Sequence, residues 1–240
     1  MRRRTIRPTG EGEPARALVT DGVRHLTHRR PLVCLPVGGR SVGAGAHTHR
    51  VDEGAIFDEL VLRLVEAARG GVDQLLRRTG GVMFPPMVHI LAEDMDPPYV
   101  GMLRCRWFCP GGDAADAVAE LGELPSVLAA TRLVVIWETL DLAAALDVPA
   151  ECNTRAMVAL DATLTEQTMH WRPFRLHKGE GRTGPVVISE WSESVRLPDP
   201  PLPGPVARLL AVWRQWRDED LGETLTRLET AGHRMRWASR

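Results

Sequence analysis

The sequence predicts an α+β protein: a mixed, mostly antiparallel sheet of about six strands with packing helices and a C-terminal helical segment. Three observations carry this. Val134-Val135-Ile136-Trp137, inside RLVVIWETLD at 132–141, is the densest run of β-branched and aromatic residues. It does not alternate with polar residues, so it reads as a central strand buried on both faces. Pairs of apolar runs flank it, each pair joined by a short turn, which is the pattern of hairpins. Helical stripes fall before, between and after those hairpins, which argues against a regular βαβ series.

The elements follow in order. Phe57, Leu60, Val61, Leu64, Val65 and Ala68 make a helical stripe that must face a core, with Asp52 and Glu53 at its start and Gly70-Gly71 as its end. Val72–Arg78 reads as a second, short helix. Met87–Glu93 and Tyr99–Phe108, joined by Asp94-Met95-Asp96-Pro97-Pro98, read as a hairpin. In its second strand Met102, Arg104 and Arg106 alternate with Leu103, Cys105 and Trp107, so one face is partly wet. Asp113 is placed to cap a helix carrying Ala117, Val118, Leu121 and Leu124 inward, and Pro125 to restart it. After the central strand, Thr139 or Asp141 caps Leu142–Leu146. Ala156–Leu160 and Thr168–Leu176 read as another hairpin, with Pro173 at an edge or bulge, and Pro185–Trp191 as the last strand.

The chain divides into a flexible basic arm at 1–16, a core domain at 17–195, a Pro-rich linker at 196–205 and C-terminal helices at 206–240 that pack on the core or on a partner. At 240 residues, with 44% hydrophobic and 25% charged residues, it can bury one sizeable core. No run approaches the roughly 18 apolar residues of a membrane span. Arg2-Arg3-Arg4 is followed by a polar segment with prolines and glutamates, so no export signal is read and the expected compartment is the cytoplasm. Cys34, Cys105, Cys109 and Cys152 are too sparse for a disulfide framework. Net charge is −1, yet residues 1–50 carry ten arginines against Glu11, Glu13 and Asp21, a local excess of +7.

Three constellations could carry chemistry. Apolar runs end in carboxylates at Glu138 and Asp161, and Glu190 lies inside another. If those strand ends converged, the three acids could hold a divalent metal for hydrolysis of a phosphate ester. The Gly-rich loop at 38–45 leads into a helix, and Arg40, His47, His49 and Arg50 around it could form an anion site. It lacks the Gly-Lys-Ser/Thr of a P-loop and any G-x-G-x-x-G. The third is His47-Thr48-His49, to which His25, His28 and Cys34 could add zinc ligands, but the spacing matches no familiar structural zinc pattern, so no metal site is assigned and no cofactor is identified. Arg2, Arg3, Arg4 and Arg7 could contact nucleic acid. Trp213 and Trp216 lie on a helical stripe whose indoles would be costly to leave in water, which points to self-association or a protein partner. With no complete catalytic motif, the expected function is a non-enzymatic binding or interaction protein, self-associating. The alternative is a metal-dependent hydrolase using Glu138, Asp161 and Glu190.

Overall fold

A computed structural model describes residues 53–79, 85–150, 154–181, 184–215 and 217–239. In chain order the elements are α1 (Glu53–Thr79), β1 (Met87–Leu91), β2 (Tyr99–Arg104), α2 (Gly112–Glu120), α3 (Glu123–Val127), β3 (Arg132–Glu138) and α4 (Thr139–Ala145). They continue with β4 (Ala156–Thr163), β5 (Gln167–Gly181), β6 (Gly184–Trp191), β7 (Val195–Pro198), α5 (Gly204–Arg214), α6 (Leu221–Ala231) and β8 (Arg234–Trp237).

One antiparallel sheet holds the strands in the order β6-β5-β4-β3-β1-β2-β8, with β7 paired to β5 off that path. The α+β class and the mostly antiparallel sheet are therefore as expected; the strand number is eight, not about six. β3 lies at the middle of the order, and all seven of its residues are buried. Its two faces feed two cores. Leu133, Val135 and Trp137 pack with Val158 and Leu160 of β4, and with residues of α2, α3, α5 and α6, on one side. Val134 and Ile136 pack with Met157, Ala159 and Phe174 under Val61, Val65, Val72 and Leu76 of α1 on the other.

Several local expectations are corrected. Gly70-Gly71 does not end the first helix; α1 runs through it for 27 residues. Val72 and Leu76 extend the stripe of Val61 and Val65 at helical spacing. Burying them outweighs roughly 1 kcal/mol of helix propensity lost at each glycine. Asp113 is not the N-cap of α2: Gly111 is, and Asp113 sits in the first turn, where its carboxylate accepts the Cys109 N–H at 2.7 Å. Neither Thr139 nor Asp141 caps α4. That role falls to Glu138, whose side chain accepts the Asp141 N–H.

Pro173 marks where β5 changes partner. Up to it β5 pairs with β4, and from Phe174 onward it pairs with β6 as a two-stranded ribbon. α1 lies against that ribbon through Asp73, which accepts hydrogen bonds from Ser189 and from the Trp191 indole. The segment read as a Pro-rich linker contributes β7, because Val195–Pro198 extends along the free edge of β5 left beyond β4. The C-terminal segment read as helical also contains a strand, β8. It follows the left-handed Gly232 that terminates α6 and pairs with β2. Gly101 makes that approach possible, since a Cβ there would lie 2.5 Å from the Arg236 carbonyl oxygen.

Arg132 is among the buried polar residues. Its Nε and Nη2 grip Asp161 at 2.7 and 2.6 Å, and Nη2 also reaches Asp58 of α1 at 3.1 Å. Both Arg132 and Asp161 are buried, so the pair is held by two parallel charge-assisted hydrogen bonds. Removing one partner strands the other charge. We expect Arg132→Met or Asp161→Ala alone to destabilise the fold by about 3–5 kcal/mol, and the double variant by clearly less than the sum, in urea unfolding.

Candidate functional site

The three carboxylates singled out from sequence are not brought together. Glu138 is 3% exposed and engaged at its own helix: it accepts the Asp141 N–H at 2.6 Å and the Thr139 hydroxyl at 3.3 Å, with Arg155 at 3.6 Å. Burial raises its carboxyl above the ordinary range. Asp161 is held by Arg132. On the β3–β4 ladder Asp161 faces Val134 while Glu138 faces Met157, four residues further along. That is roughly 13 Å of strand. Glu190 stands on the outlying ribbon, exposed, with Oε2 at 2.8 Å from Nε2 of His177. Among the described residues no group of three His, Cys, Asp or Glu side chains is arranged to hold a metal ion.

Arg40, His47, His49 and Arg50, the arm residues Arg2, Arg3, Arg4 and Arg7, and Trp216 lie outside the described residues. Trp213 is described, and it does not face outward. It is 3% exposed, packs in the core with Leu209 and Leu210, and donates its indole N–H to the Ala130 carbonyl at 3.0 Å. The helix that carries it packs back on the chain's own core, which leaves this indole no surface for a partner. Cys105 is equally inert. Burial pushes its thiol up to about 12, and the S–H donates to the Ala117 carbonyl.

What does stand out is an uneven sorting of arginines. Nine arginines among the described residues, Arg106, Arg132 and Arg227 with them, lie within salt-bridge distance of a carboxylate. Arg77, Arg104, Arg175, Arg196, Arg214, Arg234 and Arg236 have no such partner among those residues, and three of them, Arg104, Arg234 and Arg236, gather exposed on the two last strands of the sheet. The register shows how they gather. Across the sheet Asp161, Val134, His89, Met102 and Arg236 face one another in one row, and Ala159, Ile136, Met87, Arg104 and Arg234 in the next. Directly paired residues share a face, so the three arginines stand on the same face that α1 covers further along. Each row begins in the core and ends in guanidinium groups.

His89 lies in the first row, just inside this rim. It is 7% exposed, with Nδ1 at 3.0 Å from the Tyr99 hydroxyl. Its Nε2 is buried and has no hydrogen-bond partner among the described residues. Burial lowers the imidazole to about 4, so the ring is neutral near pH 7. Burial also raises the Tyr99 phenol, while the positive charge of Arg236 acts in the opposite direction. A protonated phenol can donate to Nδ1, and Nε2 then carries the ring proton as a donor. The unit His89–Tyr99–Arg236 is thus rich in donors and poor in acceptors.

The sequence held a usable signal for this rim. Arg-Met-Arg-Trp at 234–237 alternates with period two, as does Leu-Arg-Cys-Arg-Trp at 103–107. No family model, curated protein or solved structure matches the chain.

His89 titrates below its unfolded value of 6.5, so on acidification the unfolded chain takes up this proton first. The stability it contributes is complete above about pH 6.5 and is lost as pH falls toward 4. At about 1.4 kcal/mol per pKa unit this amounts to about 3 kcal/mol. We expect His89→Leu to flatten the stability profile between pH 7 and 4.5 relative to the unsubstituted chain. Urea midpoints at the two pH values check it; an equal drop in both proteins contradicts it.

Proposed function

We propose that the protein is a non-enzymatic binding protein that recognises an anionic group at the rim formed by β2 and β8. The observation that supports this is the juxtaposition of Arg104, Arg234 and Arg236 on one face of two paired strands, all three without carboxylate partners among the described residues. Like charges gathered on two short strands repel one another and destabilise the free protein slightly. An anion relieves that repulsion and can take paired N–H donors from each guanidinium. The rim is exposed, so its charge acts mainly by steering and orienting the anion, and binding there should weaken with salt.

The alternative, a metal-dependent hydrolase acting on a phosphate ester, would need Glu138, Asp161 and Glu190 at one centre. Each already has protein partners in a different part of the fold, and no observation favours it. Self-association through the α5 stripe is likewise without support from Trp213, whose indole is spent inside the core.

The test uses the full chain at low salt. Its melting temperature is followed with pyrophosphate, a polyglutamate peptide and a single-stranded oligonucleotide as separate titrants. At 100-fold saturation of a site the folded state gains about 2.7 kcal/mol, a readily measured rise. We expect at least one titrant to raise the melting temperature, and Arg104→Ser/Arg236→Ser to lose most of that rise. Arg208→Ser, at an exposed pair with Asp116 elsewhere, should keep it. No shift with any titrant, or an undiminished shift in the rim variant, contradicts the proposal.

A further inference from the structure

β8 is the last strand of the sheet path, and among the described residues it pairs with β2 alone. Its backbone orientation can be read from one hydrogen bond. The Ala238 N–H donates to the Val100 carbonyl at 2.9 Å. In an antiparallel ladder the residues of such a pair turn both backbone groups toward each other, and alternate residues turn theirs away. Arg236 and Arg234 therefore bond inward to β2, and Met235 and Trp237 present their N–H and C=O groups to the open side. The side chains sort the other way. Arg234 and Arg236 stand on the α1 face, and Met235 and Trp237 on the opposite face, with Trp237 45% exposed.

We propose that this open edge takes an extended segment of another protein as an added strand, and that the segment carries acidic residues at alternate positions with apolar residues between them. The edge would supply main-chain hydrogen bonds from Met235 and Trp237, which is how strand addition gives affinity. Specificity would come from the two faces. Acids on the added strand would stand opposite Arg234 and Arg236, and apolar side chains opposite Met235 and Trp237. A second copy of this chain fits poorly. Continuing the sheet through two β8 strands with Met235 opposite its own copy sets Arg234 of one against Arg236 of the other, a like-charge pairing across the ladder. The same arginines that discourage self-pairing thus favour an acidic strand. The inference deepens the proposed function by naming its partner class, and it rests on that reading of the rim as anion-binding.

The test is direct binding to the full chain. The probe is a labelled peptide of about eight residues, a usual strand length, in which Glu and Val alternate. Its control has the same composition with the glutamates and valines in separate blocks. We expect the alternating peptide to bind about tenfold or more tightly than the blocked one, a difference of about 1.4 kcal/mol. Met235→Pro and Trp237→Pro each delete an outward N–H while sparing the bonds to β2. Each should weaken binding by about tenfold or more with cooperative melting retained. Amide exchange gives a second readout independent of these variants: Met235 and Trp237 should gain protection on peptide addition, with Arg234 and Arg236 little changed. Equal binding of the two peptides, or absent protection at Met235 and Trp237, overturns strand addition. If pyrophosphate or the oligonucleotide binds through the arginines while the alternating peptide does not, strand addition fails and the anion-binding rim stands. If none of the three binds, both fail.

Discussion

Everything in this fold depends on β3 being apolar on both faces. A strand whose seven residues are all buried cannot lie at an edge or face water on one side. It requires a neighbour on each flank and a layer above and below. β1 and β4 meet the first demand, α1 and the α2–α6 group the second. The two cores differ in how they are built. α1 is one long helix laid across the sheet, held by its own stripe. The other layer is assembled from short helices whose contacts come from distant parts of the chain: Gly122 lets α3 approach α5 so closely that a Cβ there would collide with the Leu209 carbonyl. The Trp213 indole then ties α5 to the loop just before β3.

Polar groups in this arrangement fall into two kinds. Those near the centre are closed on themselves. Arg132 is held by Asp161 and Asp58. Glu120 receives both Arg106 and the fully buried His233, whose Nδ1 accepts the Arg106 backbone N–H so that Nε2 is left as the donor to Glu120. These networks bind elements that are far apart in sequence, and they are complete without any ligand. At the β2–β8 rim the bookkeeping does not close: donors accumulate, acceptors are missing, and His89 keeps a buried nitrogen unpaired. An unpaired buried polar atom costs about 1–3 kcal/mol, so its presence beside exposed guanidinium groups is the main physical reason to look for function there.

The central strand, the hairpins and the helical stripes were legible in the sequence because each is written in local periodicity. What was illegible depended on tertiary context. The glycine pair at 70–71 reads as a stop until Val72 and Leu76 are seen to continue the buried stripe. β7 hides in a Pro-rich run because proline at an edge is compatible with a strand once β5 offers a free side. Glu138 drew notice as an acid at a strand end, and it proves to cap the helix that begins there, a reason such acids are common at these positions. Asp161 drew notice likewise, and its partner Arg132 could be found only from the β3–β4 register. The rim escaped because its arginines are 130 residues apart in part and meet only when β8 returns to β2. Arg104 and the 234–237 alternation were each visible; their adjacency was not.

The central claim is that Arg104, Arg234 and Arg236, gathered on one face of β2 and β8 without carboxylate partners among the described residues, take an anion that the salt-bridged arginines do not. Arginine side-chain NMR measures that division directly, because each Nε–H reports its own hydrogen-bond partner. On titration with pyrophosphate or an acidic peptide, the Nε–H resonances of Arg104, Arg234 and Arg236 should shift together and saturably. Those of Arg106, Arg132 and Arg227 should stay where they are. Uniform drift of all six, or movement of the paired arginines while the rim stays still, would contradict the account.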